Sequence, residues 1–104
     1  MSAFISVIVP FYNNRKEIGR CCASLLKQHY PRDRFEIIFV DNNSTDNSAS
    51  IVAEHPEIRV LWEASAGAYA ARNQAIKKSK GEILAFTDAD CVAAPDWLTQ
   101  IAEA

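Results

Sequence analysis

Asp88 and Asp90 stand two residues apart in "TDADC", directly after the apolar run "EILAF". A pair of carboxylates at a strand end has two readings. One is a solvated acidic turn, the commoner meaning of D-x-D spacing taken alone. The other is a cation site, in which one acid faces the sheet crevice and its neighbour reaches the metal. The place after a buried strand favours the cation. Mg²⁺ or Mn²⁺ prefers hard oxygens and takes one or two carboxylates together with phosphate oxygens, so a diphosphate ligand would make such a pair sensible. Asp41 follows a second apolar run, "FEIIFV", where an Asx residue is either a turn former or a ligand contact. Tyr12 could stack on a base or cover the edge of the core. Arg72 is either a solvated helix arginine or a cation facing phosphate beside the acids. Lys77, Lys78 and Lys80 suit a solvated helix end, where the dipole favours cations. The three cysteines, Cys21, Cys22 and Cys91, are odd in number and show no CxxC spacing, which argues against a disulfide framework or a zinc site. Cys21 and Cys22 read as buried apolar residues, and Cys91 as filler after the acidic turn.

These residues need elements to position them. "FISVIV" (Phe4 to Val9) and "FEIIFV" (Phe35 to Val40) are short and apolar, like strands covered on both faces, and Pro10 stops the first. "IRVLW" (Ile58 to Trp62) and "EILAFT" (Glu82 to Thr87) read as two further strands. Asn14 and Glu17 have the spacing of a capping box ahead of a helix whose stripe is Ile18, Cys21, Cys22, Leu25 and Leu26, closed by Pro31. A short helix follows from about Thr45 to Glu54. "AYAARNQAIKKSK" is a third helix, with Gly67 free in φ before it and Gly81 at a C′ position after it. Pro95 at an N1 position opens the last helix, "PDWLTQIAEA". Strands alternating with helices imply an α/β fold: a Rossmann-like, three-layer α/β/α domain with a mainly parallel sheet. Ligands of such sheets bind beyond the carboxyl ends of the strands. Asp41, Glu63, Asp88 and Asp90 would all converge there, and their mutual repulsion would welcome a cation.

Bulk properties exclude several classes. The 104 residues suit one domain, and the formal net charge of -2 with interspersed signs argues against a nucleic-acid binder. No apolar run approaches the roughly 20 residues that span a bilayer, and the start lacks the basic region of a signal peptide. The expectation is a soluble, cytoplasmic chain.

The segments "ISVIVPFYNN", "FEIIFVDNNSTDNS", "AGAYAARNQAIKKSKGEILAFTDAD" and "PDWL", in this order, resemble the inverting GT-A-fold glycosyltransferases of family 2. They cover nearly the whole chain. The resemblance implies a nucleotide-binding half, uridine diphosphate (UDP) sugars as the commonest donors, and Mn²⁺ or Mg²⁺ as cofactor. By it, Pro10 and Tyr12 would border the nucleoside, and Asp41 would hydrogen-bond the base. Arg72 would lie near the base or diphosphate. Asp88 would contact ribose, and Asp90 would bind the metal. Asn42 and Asn43 depart from the acidic or glycine residues common after the second strand, and Gln74 replaces a common glycine. All three changes are expected to be tolerated, with an effect on donor preference.

The resemblance also implies an acceptor region and a catalytic base beyond residue 104. The 104 residues would then be the N-terminal, nucleotide-sugar-binding portion of a longer domain that binds nucleotide without transferring sugar by itself. The acceptor would be a saccharide or a lipid-linked group, and a full-length parent could sit at the inner face of a membrane. The open edge of "EILAFT" would favour self-association. A sugar nucleotidyltransferase fits less well, since "PFYNNRKE" has no glycine after the first strand. A dehydrogenase or P-loop enzyme lacks its glycine motif for the same reason. A receiver-like domain would carry its acids after the first strand. A non-catalytic nucleotide-sugar-binding module stays open beside the enzyme.

Overall fold

The computed structural model describes residues 3–104. Four strands form one sheet: β1 (Ile5–Phe11), β2 (Phe35–Asp41), β3 (Arg59–Trp62) and β4 (Ile83–Phe86), in the order β3-β2-β1-β4. Every pairing is parallel. The helices are α1 (Ile18–Leu26), α2 (Ser48–Ala53), α3 (Ala68–Lys78) and α4 (Trp97–Glu103), with a short 3₁₀ turn at Arg32–Arg34. Strand residues of one parity pack under α1, α2 and α4, in a core that includes Ile5, Val7, Phe39, Ile18, Leu25, Val52 and Leu98. Those of the other parity, Ile8, Ile38 and Val40, pack against Ala71 and Ala75 of α3. The alternation follows from side chains pointing to opposite faces along a strand, and it yields the expected three layers. Among the described residues no helix is long and apolar enough to cross a membrane.

The chain winds outward from β1 to β2 and β3, then crosses to the far side of β1 as β4. The switch in strand order therefore falls between β1 and β4. β4 is the shorter of the two. Its last residue, Phe86, pairs with Ile8, while β1 runs on to Phe11. Pro10 does not stop the strand as expected. Ile8 turns its carbonyl toward β4, accepting from Thr87 N at 3.2 Å. Pro10, two residues on, faces the same side, where β4 has already ended, so its missing N–H breaks no ladder bond. Phe11 then bonds the β2 side, accepting from Asn42 N at 2.9 Å.

Several helix boundaries differ from the expected ones, and tertiary hydrogen bonds explain them. The capping box does not form: α1 starts at Ile18 with no side-chain cap. Asn14 Oδ1 accepts from Tyr12 N at 3.0 Å instead, bracing the end of β1. α2 begins at Ser48 rather than Thr45, because Asn47 adopts φ 68° and Asp46 accepts from Ser48 N and from Arg15 N. α4 begins at Trp97, two residues after Pro95, whose carbonyl accepts from His29 N at 2.7 Å. Gln28 clamps that junction: its Nε2 donates to Ala94 O and its Oε1 accepts from Leu98 N.

Gly81 is not a left-handed C′ residue. α3 ends at Lys78 and Ser79 is already extended. Gly81 is needed for close approach: a Cβ there would lie 2.6 Å from both Ser6 N and Ser6 Oγ. Gly67, at φ 105°, does need the conformational freedom of glycine.

Candidate functional site

Beyond the end of β4, where β1 continues paired only with β2, lies a cleft of about 290 Å³. Pro10, Phe11, Tyr12 and Asn14 form one wall, Asp88, Ala89 and Asp90 the other, and Asn42 and Ala68 complete it. A second hollow of about 540 Å³ shares Tyr12, Asn42 and Ala68 with the cleft. Ala68 is the first residue of α3, so a helix N-terminus, with its unsatisfied N–H groups and positive dipole end, borders the same space.

The acidic wall is a tight turn. Cys91 N donates to Asp88 O at 3.0 Å, closing residues 88–91. Between the acids, Ala89 is buried in the core, while Asp88 and Asp90 are exposed. One small apolar residue thus anchors the turn and leaves both carboxylates in solvent. Beneath it, the Cys21 thiol donates to Asp88 O at 3.6 Å. Burial, then the neighbouring Cys22 and Cys91 thiols and the Asp90 and Asp88 carboxylates, push Cys21 up to about 12, so it stays protonated and keeps this bond at neutral pH. The ligand atoms of Asp88, Asp90 and Cys91 all lie within 4.8 Å of one another. The two carboxylates line the cleft, and hard oxygens of that kind suit a divalent cation such as Mg²⁺ or Mn²⁺.

The opposite wall is held by loops that interlock. Asn13 adopts φ 51°; its Oδ1 accepts from Thr45 N at 2.8 Å and its N donates to Ser44 Oγ at 2.9 Å. The ring of Tyr12 is left 59% exposed at the mouth.

The structure brings together Pro10, Tyr12, Asp88 and Asp90 as expected. Arg72 joins them indirectly: its guanidinium lies 4.0 Å from an Asp88 oxygen, both side chains being well exposed. Asp41 sits at the end of β2, but it does not line the cleft; its Oδ1 accepts from Ser44 N, three residues on, at 2.8 Å. Glu63 does not converge on the acids. It accepts from Ser65 N and from Gln74 Nε2, and these bonds hold its carboxyl below the ordinary range. Two acids line the cleft rather than four.

Asn42, read as a mere departure from a family pattern, has a structural role. It is 8% exposed; its Oδ1 accepts from Gly67 N at 2.8 Å and its Nδ2 donates to Ser65 O at 2.7 Å. Asn43, at φ 71°, donates to Ala64 O, and Gln74 donates to Trp62 O. The three polar residues together hold the loop that leads into α3. An aspartate at position 42 could accept from Gly67 but could not donate to Ser65.

A doubly wound parallel sheet with acids, an aromatic residue and a helix N-terminus at its switch point defines a ligand-binding α/β domain. The chain belongs to a particular family of that class: the model described as glycosyl transferase family 2 matches residues 6–104. It is 39% identical over 100 residues to glycosyltransferase AglE of Haloferax volcanii, covering 91% of this chain and 33% of that protein. The structure of residues 1–349 of Staphylococcus aureus TarS in complex with UDP superposes with a TM-score of 0.90 at 34% identity, over 96% of this chain and 31% of that one. The mannosyltransferase PcManGT from Pyrobaculum calidifontis, in complex with GDP-Man and Mn²⁺, superposes with a TM-score of 0.81 at 33% identity, over 98% of this chain and 31% of that one. The chain thus spans about a third of the length of these relatives.

Proposed function

We propose that this chain is the donor-binding part of a glycosyltransferase, which holds a nucleoside diphosphate sugar, with UDP the favoured nucleotide, together with Mn²⁺ or Mg²⁺. The observation that carries the reading is that Asp88 and Asp90 share one cleft with Pro10 and Tyr12 at the switch in strand order. The exposed Tyr12 ring and Pro10 offer a surface for the nucleoside. Asp41, with one oxygen committed to Ser44, keeps its other for a base N–H. Asp88 is the ribose contact and is held toward Arg72, whose guanidinium also suits a diphosphate oxygen. Asp90 is the metal ligand. A cation held there would neutralise charge developing on the departing nucleoside diphosphate. The UDP complex of TarS and the GDP-Man and Mn²⁺ complex of PcManGT, both above 30% identity, support this assignment.

Transfer to an acceptor hydroxyl, on a saccharide or a lipid-linked group, with inversion, needs a base to take the hydroxyl proton. Among the described residues, the only carboxylates lining the cleft are Asp88 and Asp90, both assigned to the donor. The 104 residues therefore bind donor without turning it over. Titration calorimetry with UDP tests the reading: heat of binding is expected in Mn²⁺ and little in EDTA. Indifference to both nucleotide and metal would overturn it, and so would sugar transfer by these residues alone.

The outer edge of β4 has no strand partner among the described residues, and Phe86 beside it is 44% exposed. Unpaired edges template further pairing, so the same 104 residues are expected to self-associate. Light scattering that reports a clean monomer at high protein concentration would count against this.

A further inference from the structure

We infer that the outer edge of β3 is a self-docking surface, on which a second copy of this chain lays its own β3 antiparallel about a two-fold axis at Leu61. β3 ends the sheet on the side away from β4, and among the described residues no strand pairs with its outer edge. Glu63 N donates to Asp41 O at 2.9 Å, so Arg59, Leu61 and Glu63 turn their main-chain groups toward β2. Val60 and Trp62 alternate with them and turn N–H and C=O to the open edge. The Trp62 carbonyl accepts there from Gln74 Nε2 at 2.9 Å and keeps a second lone pair. The side chains of Val60 and Trp62 are themselves 38% and 61% exposed. An open edge that carries apolar side chains is a template for another strand.

The charges select both the occupant and the register. An antiparallel match of β3 with itself puts the two-fold axis beside Val60, Leu61 or Trp62. An axis at Val60 sets Glu57 against Glu63 of the second copy, and like charges directly opposite repel. An axis at Trp62 sets Arg59 against Ser65 and Glu63 against Leu61, so neither charge is matched. An axis at Leu61 sets Arg59 against Glu63 and, by symmetry, Glu63 against Arg59. It also sets Val60 against Trp62, an aromatic and β-branched pair whose residues exchange both main-chain hydrogen bonds, twice in the dimer. The charged side chains both lie on the α3 face: Arg59 Nη1 donates to Lys78 O, and Glu63 accepts from Gln74 Nε2. Arg59 retains further N–H donors for a carboxylate. Directly opposite residues bring their Cβ atoms about 4.5–5.5 Å apart, within reach of an ion pair. A strand that is its own complement in charge and apolar contact favours a second copy over a foreign strand.

Sedimentation equilibrium on the native chain and two charge reversals tests the docking, with circular dichroism to check each fold. Wild type is expected to dimerise reversibly. Arg59→Glu and Glu63→Arg each place two like-charge pairs in the dimer, and each should raise the dissociation constant at least about tenfold. Mixed together, the two variants are expected to associate as tightly as wild type, because every opposed pair in the mixed dimer then unites opposite charges. Val60→Lys, at an exposed position outside the Glu63 hydrogen bonds, is a second probe of the same edge and should be monomeric. A monomeric wild type would overturn the inference. So would association that survives the single reversals or Val60→Lys, which would assign it to the β4 edge, and so would a mixture of folded variants that stays apart.

Discussion

Asp90→Asn is expected to lose the Mn²⁺-dependent part of UDP binding, about a hundredfold or more in affinity, while leaving the fold untouched. Mn²⁺ and Mg²⁺ sites lean on one or two protein carboxylates, and loss of a ligand costs at least as much as the ~10–100-fold that outer-shell changes bring. The fold should not respond, because Asp90 is exposed and, among the described residues, its side chain hydrogen-bonds only to the Cys91 thiol. Its removal even relieves repulsion from Asp88. Unfolding free energies from urea titration within about 0.5 kcal/mol of wild type are therefore expected. Asp88→Asn makes a useful contrast. That variant also loses the 4.0 Å pairing with Arg72, but an exposed pair of this kind contributes under about 1 kcal/mol. The turn survives in both variants, since its hydrogen bonds from Cys21 and Cys91 go to the Asp88 main-chain oxygen. Equal Mn²⁺ dependence of UDP binding in Asp90→Asn and wild type would remove Asp90 from the metal site.

Gly81→Ala should be strongly destabilising. The new Cβ would meet Ser6 N and Oγ at 2.6 Å and Ile83 O at 2.8 Å, and two of these three atoms are backbone. No rotamer change moves them. The same glycine donates from its N to Ser6 Oγ at 2.8 Å, and Ser6 in turn donates to Glu36 Oε2 at 2.6 Å. Lys80 N donates to the same Glu36 oxygen, so one small polar knot fastens the lead into β4 against the starts of β1 and β2. Overpacking costs about 1–3 kcal/mol, and a broken hydrogen bond adds about 1 kcal/mol. For a domain of this size that lowers Tm by roughly 10–20 °C. Gly19→Ala is the control. Its Cβ would meet Ile51 Cγ2 at an ordinary 3.7 Å inside α1, and it should gain up to about 1 kcal/mol from helix propensity. Thermal melts followed by circular dichroism that rank Gly81→Ala at or above Gly19→Ala would refute the steric argument.

How far these features could be read in advance depends on how local their causes are. The buried strands β1 and β2 were legible because short, almost wholly apolar runs rich in Ile and Val, followed by turn residues, suit a strand covered on both faces. The pairing of acids with a strand end was legible too, since "TDADC" follows the last run directly. Asn42 was not: its partners, Gly67 and Ser65, lie more than twenty residues away and meet it only once β2 and β3 are side by side. Asp41 and Glu63 misled for a related reason. A carboxylate at a strand end looks free until the loop beyond it is known to bond back. Gly81 fitted a helix-end pattern, while its cause was a backbone contact with Ser6.

The cleft has one more property, which comes from the pairing of Ile5 with Ile83. Its walls are drawn from residues 10–12, 14, 42, 68 and 88–90, so no short peptide contains them. β1 meets β2 across a loop of 30 residues, but meets β4 only across 78. By chain entropy the longer closure costs roughly 0.8 kcal/mol more, and it is repaid only when the outer strand docks. The binding surface is thus a product of the longest-range contact in the sheet, and its presence reports that the chain has finished folding.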